Sequence, residues 1–179
     1  MAQLYINDLS FMKIYPMKTK SEASDTLVKL IQDVCIPDAI HSDAAPELIQ
    51  GRFWQLCKDY QIHPMCTEPY SPWQNRAEGG IRELKRMVHR KMTSKCVPVR
   101  LWDFCCKWVC EIKNKSASSL YAAEDRTPFE VTLGHTPDIS SLLPFDFYDP
   151  IWYHEEMASF PEPKLKVGRW LGEARILAK

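Results

Sequence analysis

Glycine is scarce in this 179-residue chain, with only six copies, so a glycine-rich loop of the kind that cradles nucleotide phosphates is not expected. Excess charge is lacking too. Twenty-three basic and 23 acidic residues leave a formal net charge of zero, which argues against a chain that clamps nucleic acid by its overall field. No apolar run is long enough for a membrane span, and the opening MAQLYINDLS has no apolar secretion-signal core. The seven cysteines make no spaced Cys-x-x-Cys pair. Cys105, Cys106 and Cys110 fall in an apolar stretch with Trp102, Phe104 and Trp108, where packing is the expected role rather than zinc or a disulfide. These absences lead us to expect an intracellular protein without a membrane segment.

What is present reads as a globular protein: 45% hydrophobic and 26% charged residues, enough chain for one ordinary domain and a piece of another. The charge, balanced in total, is segregated along the chain. Residues 80–95 carry Arg82, Lys85, Arg86, Arg90, Lys91 and Lys95 against Glu83 alone, whereas residues 124–162 carry nine acids against Arg126. Such a division implies two surfaces with different partners, or a contact between the two regions.

Periodicity then orders the elements. Gln3–Ile6 and Phe11–Tyr15 read as a hairpin closed by the polar turn Asn7–Ser10. A helix starts near Lys20, with Ser21 as candidate cap and Leu27, Leu30, Ile31 and Val34 on its inner face. Pro37 ends it and Ala39–Ser42 makes the next strand. A strand–helix–strand passage implies a parallel pair in an α/β sheet. Pro46 opens a further helix with Leu48, Phe53, Leu56 and Cys57 as its apolar positions, and Ile62–Cys66 is a short strand. Thr67–Gln74, broken by Pro69 and Pro72, reads as a loop. A helix of about 20 residues follows Asn75, its inner face marked by Ile81, Leu84 and Val88. Gly79-Gly80 within it weakens the helix, which implies a bend or a close approach there. After Val97-Pro98 another helix runs to about Ser116, and Thr127-Pro128 caps and opens a short one. From Pro144 the texture becomes aromatic and strand-like, with Phe160–Pro163 as a linker before Lys166–Gly172.

Two carboxylates carry the chemistry. Asp43 closes the run Ala39-Ile40-His41-Ser42-Asp43, at a strand end, and Glu78 stands where the basic helix begins. Hard oxygen ligands placed on a strand and on a helix that reaches over it suit divalent cations about 4 Å apart in two-metal phosphoryl transfer. Any chain with 23 acids contains many such pairs, so spacing alone leaves a general acid–base hydrolase open. Trp73 either stacks on a base or packs over the loop, and His63 and His89 carry no assignment.

The flanking residues narrow the reading. His41-Ser42-Asp43-Ala44-Ala45-Pro46-Glu47-Leu48, Tyr70-Ser71-Pro72-Trp73-Gln74-Asn75-Arg76-Ala77-Glu78 with the basic helix after it, Tyr15–Ala23 and Arg126–Val131 together resemble the catalytic core of retroviral-type integrases, in particular the copia-type retrotransposon branch. The resemblance covers nearly the whole chain. It implies an α/β, RNase H-like core over residues 1–143, and the start of a small β-barrel domain over 144–179, where Lys166–Gly172 is similar to the barrel's opening. It further implies DNA integration by Mg²⁺-dependent end processing and strand transfer (Mn²⁺ as a substitute), element ends and target DNA as partners, a homo-oligomeric parent, and nuclear action. Asp43 would be the second metal carboxylate and Glu78 the third. Asn75, Arg82, Lys85, Arg86 and Arg90 would meet DNA.

The chain departs from the family in three places. The family's first aspartate lies on a strand before the hairpin, and by that register the chain begins at the second strand, with Asp8 in a turn and no substitute. Ala44-Ala45 stand where the family usually has Asn-Gly after the second aspartate, and no His/Cys zinc module precedes the core. The expectation is therefore an integrase fragment that binds nucleic acid and is inactive alone. A DNA-binding or assembly remnant with no transferase role is the alternative, with an unrelated acid-pair hydrolase third.

Overall fold

The computed structural model describes residues 1–67, 76–117 and 125–173. It begins with the hairpin of β1 (Ala2–Ile6) and β2 (Met12–Pro16), paired antiparallel with Leu4 opposite Ile14 and Ile6 opposite Met12. The Asn7 side chain builds the turn, its Oδ1 accepting from the N–H groups of Leu9 and Phe11. Alternation sorts the hairpin's side chains to two sides. Met12 and Ile14, with Ala2, Leu4 and Ile6, face one core, while Tyr15 and Tyr5 face another.

Helix α1 (Ala23–Asp33) follows a 3-10 turn at Lys20–Glu22. Ser21 lies inside that turn and does not cap α1. Its hydroxyl bonds to Thr19, and Glu22 holds the cap position with its side chain turned back to Lys18 and Thr19 rather than capping the helix. Leu27 and Leu30 of α1 build the second core with Leu48, Phe53, Cys57 and Ile62. Strand β3 (Ala39–Ser42) pairs in parallel with β4 (His63–Cys66), the parallel pair that the sequence predicts. Between them the single helix expected after Pro46 is two: α2 (Pro46–Ile49) and α3 (Gly51–Asp59). Gln50 is extended and Gly51 has φ +67°, a conformation that glycine adopts without strain, so the chain turns there.

Helix α4 (Arg76–Ser94) and α5 (Trp102–Lys115) pack the first core against the hairpin, burying Leu84, Val88, Cys105, Cys106, Trp108, Val109 and Cys110. Asn114 of α5 is also buried. Its Oδ1 accepts from the Met12 N–H, and its amide donates to the Met12 carbonyl, both at 2.7 Å. Helix α6 (Pro128–Leu133) starts with Thr127 and Glu130 bonded reciprocally as a capping box, so the sequence signature of that cap holds.

The C-terminal part of the described chain is a third two-stranded sheet, β5 (Pro150–His154) with antiparallel β6 (Leu165–Arg169). The Phe160–Pro163 segment is its connecting loop, not a linker between units. Phe147, just before β5, is fully buried in the first core against Trp108. Among the described residues there are three separate two-stranded sheets, and no helix is long and apolar enough to cross a membrane.

Candidate nucleic-acid and metal-binding site

Asp43 is the first residue past β3, exposed, with its strand end pinned to the end of β4. The Thr67 N–H donates to the Ser42 carbonyl at 2.8 Å, and the Thr67 hydroxyl reaches the same oxygen and His41 Nε2. Glu78 is exposed in the first turn of α4. Neither carboxylate has an ion-pair partner among the described residues. The neighbouring acids are engaged. Glu47 lies 3.2 Å from Lys20 Nζ, and Glu83 accepts from Lys113 at 2.6 Å. The Glu47 carboxyl is held below the usual carboxylate range by its own backbone N–H and then by Lys20.

Helix α4 is sharply two-sided. Gly80, Leu84 and Val88 face the core, whereas Glu78, Arg82, Lys85, Arg86 and Arg90 are all exposed. Positions 78, 82, 85 and 86 recur at helical spacing and share one face, so the predicted carboxylate and the leading cations form one stripe. The four cations have no ion pair among the described residues. Ile81, expected on the inner face, is 38% exposed, and Gly80 takes the inner position in its place. The reason is space: a Cβ on Gly80 would stand 2.8 Å from Ile6 Cδ1 and 3.3 Å from Met12 Cε, while one on Gly79 would meet nothing within 4 Å. The close approach expected at the glycine pair is real at Gly80 alone, made by the hairpin's side chains. Each glycine costs the helix about 1 kcal/mol relative to alanine.

The rest of the basic run is spoken for. Lys91 Nζ bonds both Asp146 oxygens, at 2.9 and 3.0 Å, and stands 5.0 Å over the Trp108 ring. Lys95 Nζ bonds Asp149 at 2.6 Å and Asp146 at 3.2 Å. Burial pushes the Asp146 carboxyl upward, but the bonds from Lys91 and Lys95 outweigh it and hold it low. Lys95 itself, bonded first by Asp149 and then by Asp146, is raised. The segregated charges thus make one contact that their pattern allows. The end of α4 meets the acidic segment, and its beginning and middle stay exposed.

Asn75 lies outside the described residues, as do Trp73 and the loop from 68 to 75. Asp43 and Glu78 are the hard oxygen donors that Mg²⁺ takes. Among the described residues, however, no three His, Cys, Asp or Glu side chains gather where they could hold an ion. The donors present fit a divalent cation in kind but not in number.

Comparison with solved structures decides the architecture. The crystal structure of the BIV integrase catalytic core matches with a TM-score of 0.53 at 20% identity, over 74% of this chain and 91% of that one. The fold is that of an integrase catalytic core. The HTLV-2 integrase catalytic core, solved in complex with magnesium in a dimeric form, matches with a TM-score of 0.55 at 13% identity, over 75% of this chain and 83% of that one. The simian T-cell lymphotropic virus intasome, solved by cryoEM with the PP2A regulatory subunit B56 gamma, matches at 0.58 and 19% identity over 96% of this chain. The chain spans 62% of that intasome chain's length. No protein-family model and no curated protein matches the sequence.

Sequence reasoning missed two groups that shape the site. Asn114 braces the strand under α4 through a contact 102 residues away in the chain, which no local pattern announces. Lys91 and Lys95 look from the sequence like more of the same basic helix, and only their partners set them apart.

Proposed function

We propose that the chain is part of a copia-type retrotransposon integrase that binds DNA along the exposed face of α4 and does not carry out strand transfer alone. The observation that carries this reading is the one-sidedness of α4 on an integrase-core fold. Glu78, Arg82, Lys85 and Arg86 share an exposed face, with Arg90 beside them, and the opposite face is buried. Exposed cations without partners lose no ion pair on meeting phosphates and gain the entropy of displaced counterions. Residues 1–143 would be the core, with Asn75 at its DNA contact, and 144–179 the start of a small barrel docked through Phe147. In the intact parent, DNA ends and target, a homo-oligomer and a nuclear place of action complete the reading; solved relatives in dimeric and intasome forms support the assembly.

In that parent, Asp43 and Glu78 would be the second and third carboxylates, holding Mg²⁺ or Mn²⁺, which would activate the attacking oxygen. Among the described residues no third acid gathers with them, and two acids bind a metal pair poorly. This chain therefore supplies charge, shape and two ligands, and no catalytic step.

A DNA-binding isotherm at several salt concentrations, paired with a strand-transfer assay in Mg²⁺ and Mn²⁺, tests the proposal. Neutralising Lys85, Arg86 and Arg90 should flatten the salt dependence by about one unit of slope per lost contact. Unchanged binding would refute the α4 interface. Robust strand transfer lost in Glu78→Gln would overturn the non-catalytic part.

A further inference from the structure

The directions of the backbone hydrogen bonds leave two strand edges open. The Asn7 N–H donates to the Phe11 carbonyl at 3.1 Å, and the Met17 N–H to the Met1 carbonyl at 2.9 Å. Residues facing the partner alternate along an antiparallel ladder, so Gln3 and Tyr5 turn their backbone groups to β2, and Ala2, Leu4 and Ile6 turn theirs away. In the parallel pair the carbonyls of Asp38 and Ser42 accept from His63 and Thr67, each at 2.8 Å. Ile40 therefore faces β4, while Ala39 and His41 face the other way. Among the described residues, no backbone group on these five outward positions has a partner.

The two opposite edges are obstructed. On β2, Asn114 holds the outward N–H and carbonyl of Met12, and outward Pro16 has no N–H to offer. On β4, Pro64 is outward and lacks its N–H in the same way. Strand β1 is also less covered than its partner: none of its five residues is fully buried, whereas Met12, Ile14 and Tyr15 of β2 are. Half-buried backbone groups without partners, as at Leu4 and Ile6, are rare in folded chains. Tyr5 of β1 and Ile40 of β3 pack against the same second core, so both open edges border it.

We propose that the slot between β1 and β3 receives an extended apolar strand of a separate polypeptide, which joins the two small sheets into one. Its backbone bonds Ala2, Leu4 and Ile6 on one side and Ala39 and His41 on the other. Its side chains alternate between the first core, against which Leu4 and Ile6 pack, and the second, against which Tyr5 and Ile40 pack. A strand covered on both faces is a run of consecutive apolar residues rather than an alternation. The described strands cannot fill the slot themselves, since all six are paired with one another, and a second copy has the same six committed.

The test adds a blocked peptide, a valine and isoleucine run flanked by lysine pairs, to the full chain and follows amide exchange. Without peptide, Leu4, Ile6 and His41 should exchange quickly, and Tyr5 and Ile40 slowly. With it, Leu4, Ile6, Ala39 and His41 should slow by about tenfold or more. The same peptide N-methylated at alternate residues keeps its side chains but loses its donors to one edge, and should bind about tenfold more weakly. Ala39→Pro removes an outward N–H at an exposed position and should weaken binding severalfold, whereas Cys66→Pro, on the far edge of β4, should not.

Equal binding of the N-methylated peptide would reduce the contact to apolar adhesion and overturn the proposal, and this arm holds even if Ala39→Pro fails to fold. Slowing along one edge alone would overturn it too, as would none up to the peptide's solubility limit. Amides of Leu4 and His41 that are already slow without peptide would mean that this chain or its copy holds the edges, and the proposal falls.

Discussion

Lys91 grips Asp146 by both carboxylate oxygens, at 2.9 and 3.0 Å, while its ammonium rests 5.0 Å from the Trp108 ring centre. With Lys95 and Asp149 this makes a four-charge clasp between the end of α4 and the segment leading into β5. Its pH response has a definite sign. Asp149, held low first by Lys95, and Asp146, held low by Lys91 and Lys95 against the upward push of burial, favour the docked state in full above the unfolded aspartate value of about 3.9. That contribution is lost as pH falls through their lowered values. Raised Lys95 contributes in full below about 10.4 and loses its share as pH climbs through its higher value. The fluorescence of Trp170, which sits against Phe145, should stay constant between those limits and change beyond each. A transition centred near neutrality would contradict the clasp.

The clasp is not the main anchor. Phe147 is 0% exposed, so Phe147→Ala should destabilise the chain by about 3–5 kcal/mol. The partly exposed ion pairs are screened by solvent and worth little beside it, so Asp146→Ala should cost much less. Denaturant midpoints of the two variants should therefore differ severalfold in their displacement. Equal effects would show that charge, rather than the aromatic plug, holds β5 and β6.

Asn114→Ala should be costlier than its modest size suggests. It leaves the buried N–H and carbonyl of Met12 without their partner, at about 1–3 kcal/mol for each group. Chemical denaturation should show a loss of about 3 kcal/mol, and amide exchange at Met12 should quicken by orders of magnitude.

Thiol chemistry separates the cysteines into two sets. Cys35, Cys66 and Cys96 are exposed, whereas Cys57, Cys105, Cys106 and Cys110 are buried. Burial pushes Cys105 and Cys110 up to about 12 and Cys106 to about 11, which leaves almost no thiolate at neutral pH. A disulfide reagent should titrate three thiols quickly and the other four only after unfolding. Rapid reaction of more than three would mean that one of the two cores is open, at Cys57 of α3 or at the cysteines of α5.

How much could be read from the sequence depended on how local the cause was. The hairpin, the α4 span and the Thr127 cap follow from alternation, helical period and a four-residue box, all written within a few positions. The break at Gln50–Gly51 was hidden because apolar spacing continues across it, and only the positive φ at Gly51 shows the turn. Ile81 fitted the inner face by spacing, but helical period fixes a face only to within a neighbouring position, and the tight seat against Ile6 selected Gly80. At the candidate site, the exposure of Arg82, Lys85, Arg86 and Arg90 agreed with their composition. The diversion of Lys91 and Lys95 to partners some 55 residues on could not be seen from the helix itself.

The Asn114 seat on Met12 also bears on how the molecule meets its own copies. A strand at the margin of a sheet is a template on which another chain can zip, and proteins commonly blunt it with charge or a bulge. Here an amide side chain from α5 mimics one rung of the missing ladder, giving Met12 the donor and acceptor that a stranger's backbone would have offered. Strand addition along β2 is thereby obstructed at its first residue, where a paired edge would otherwise begin.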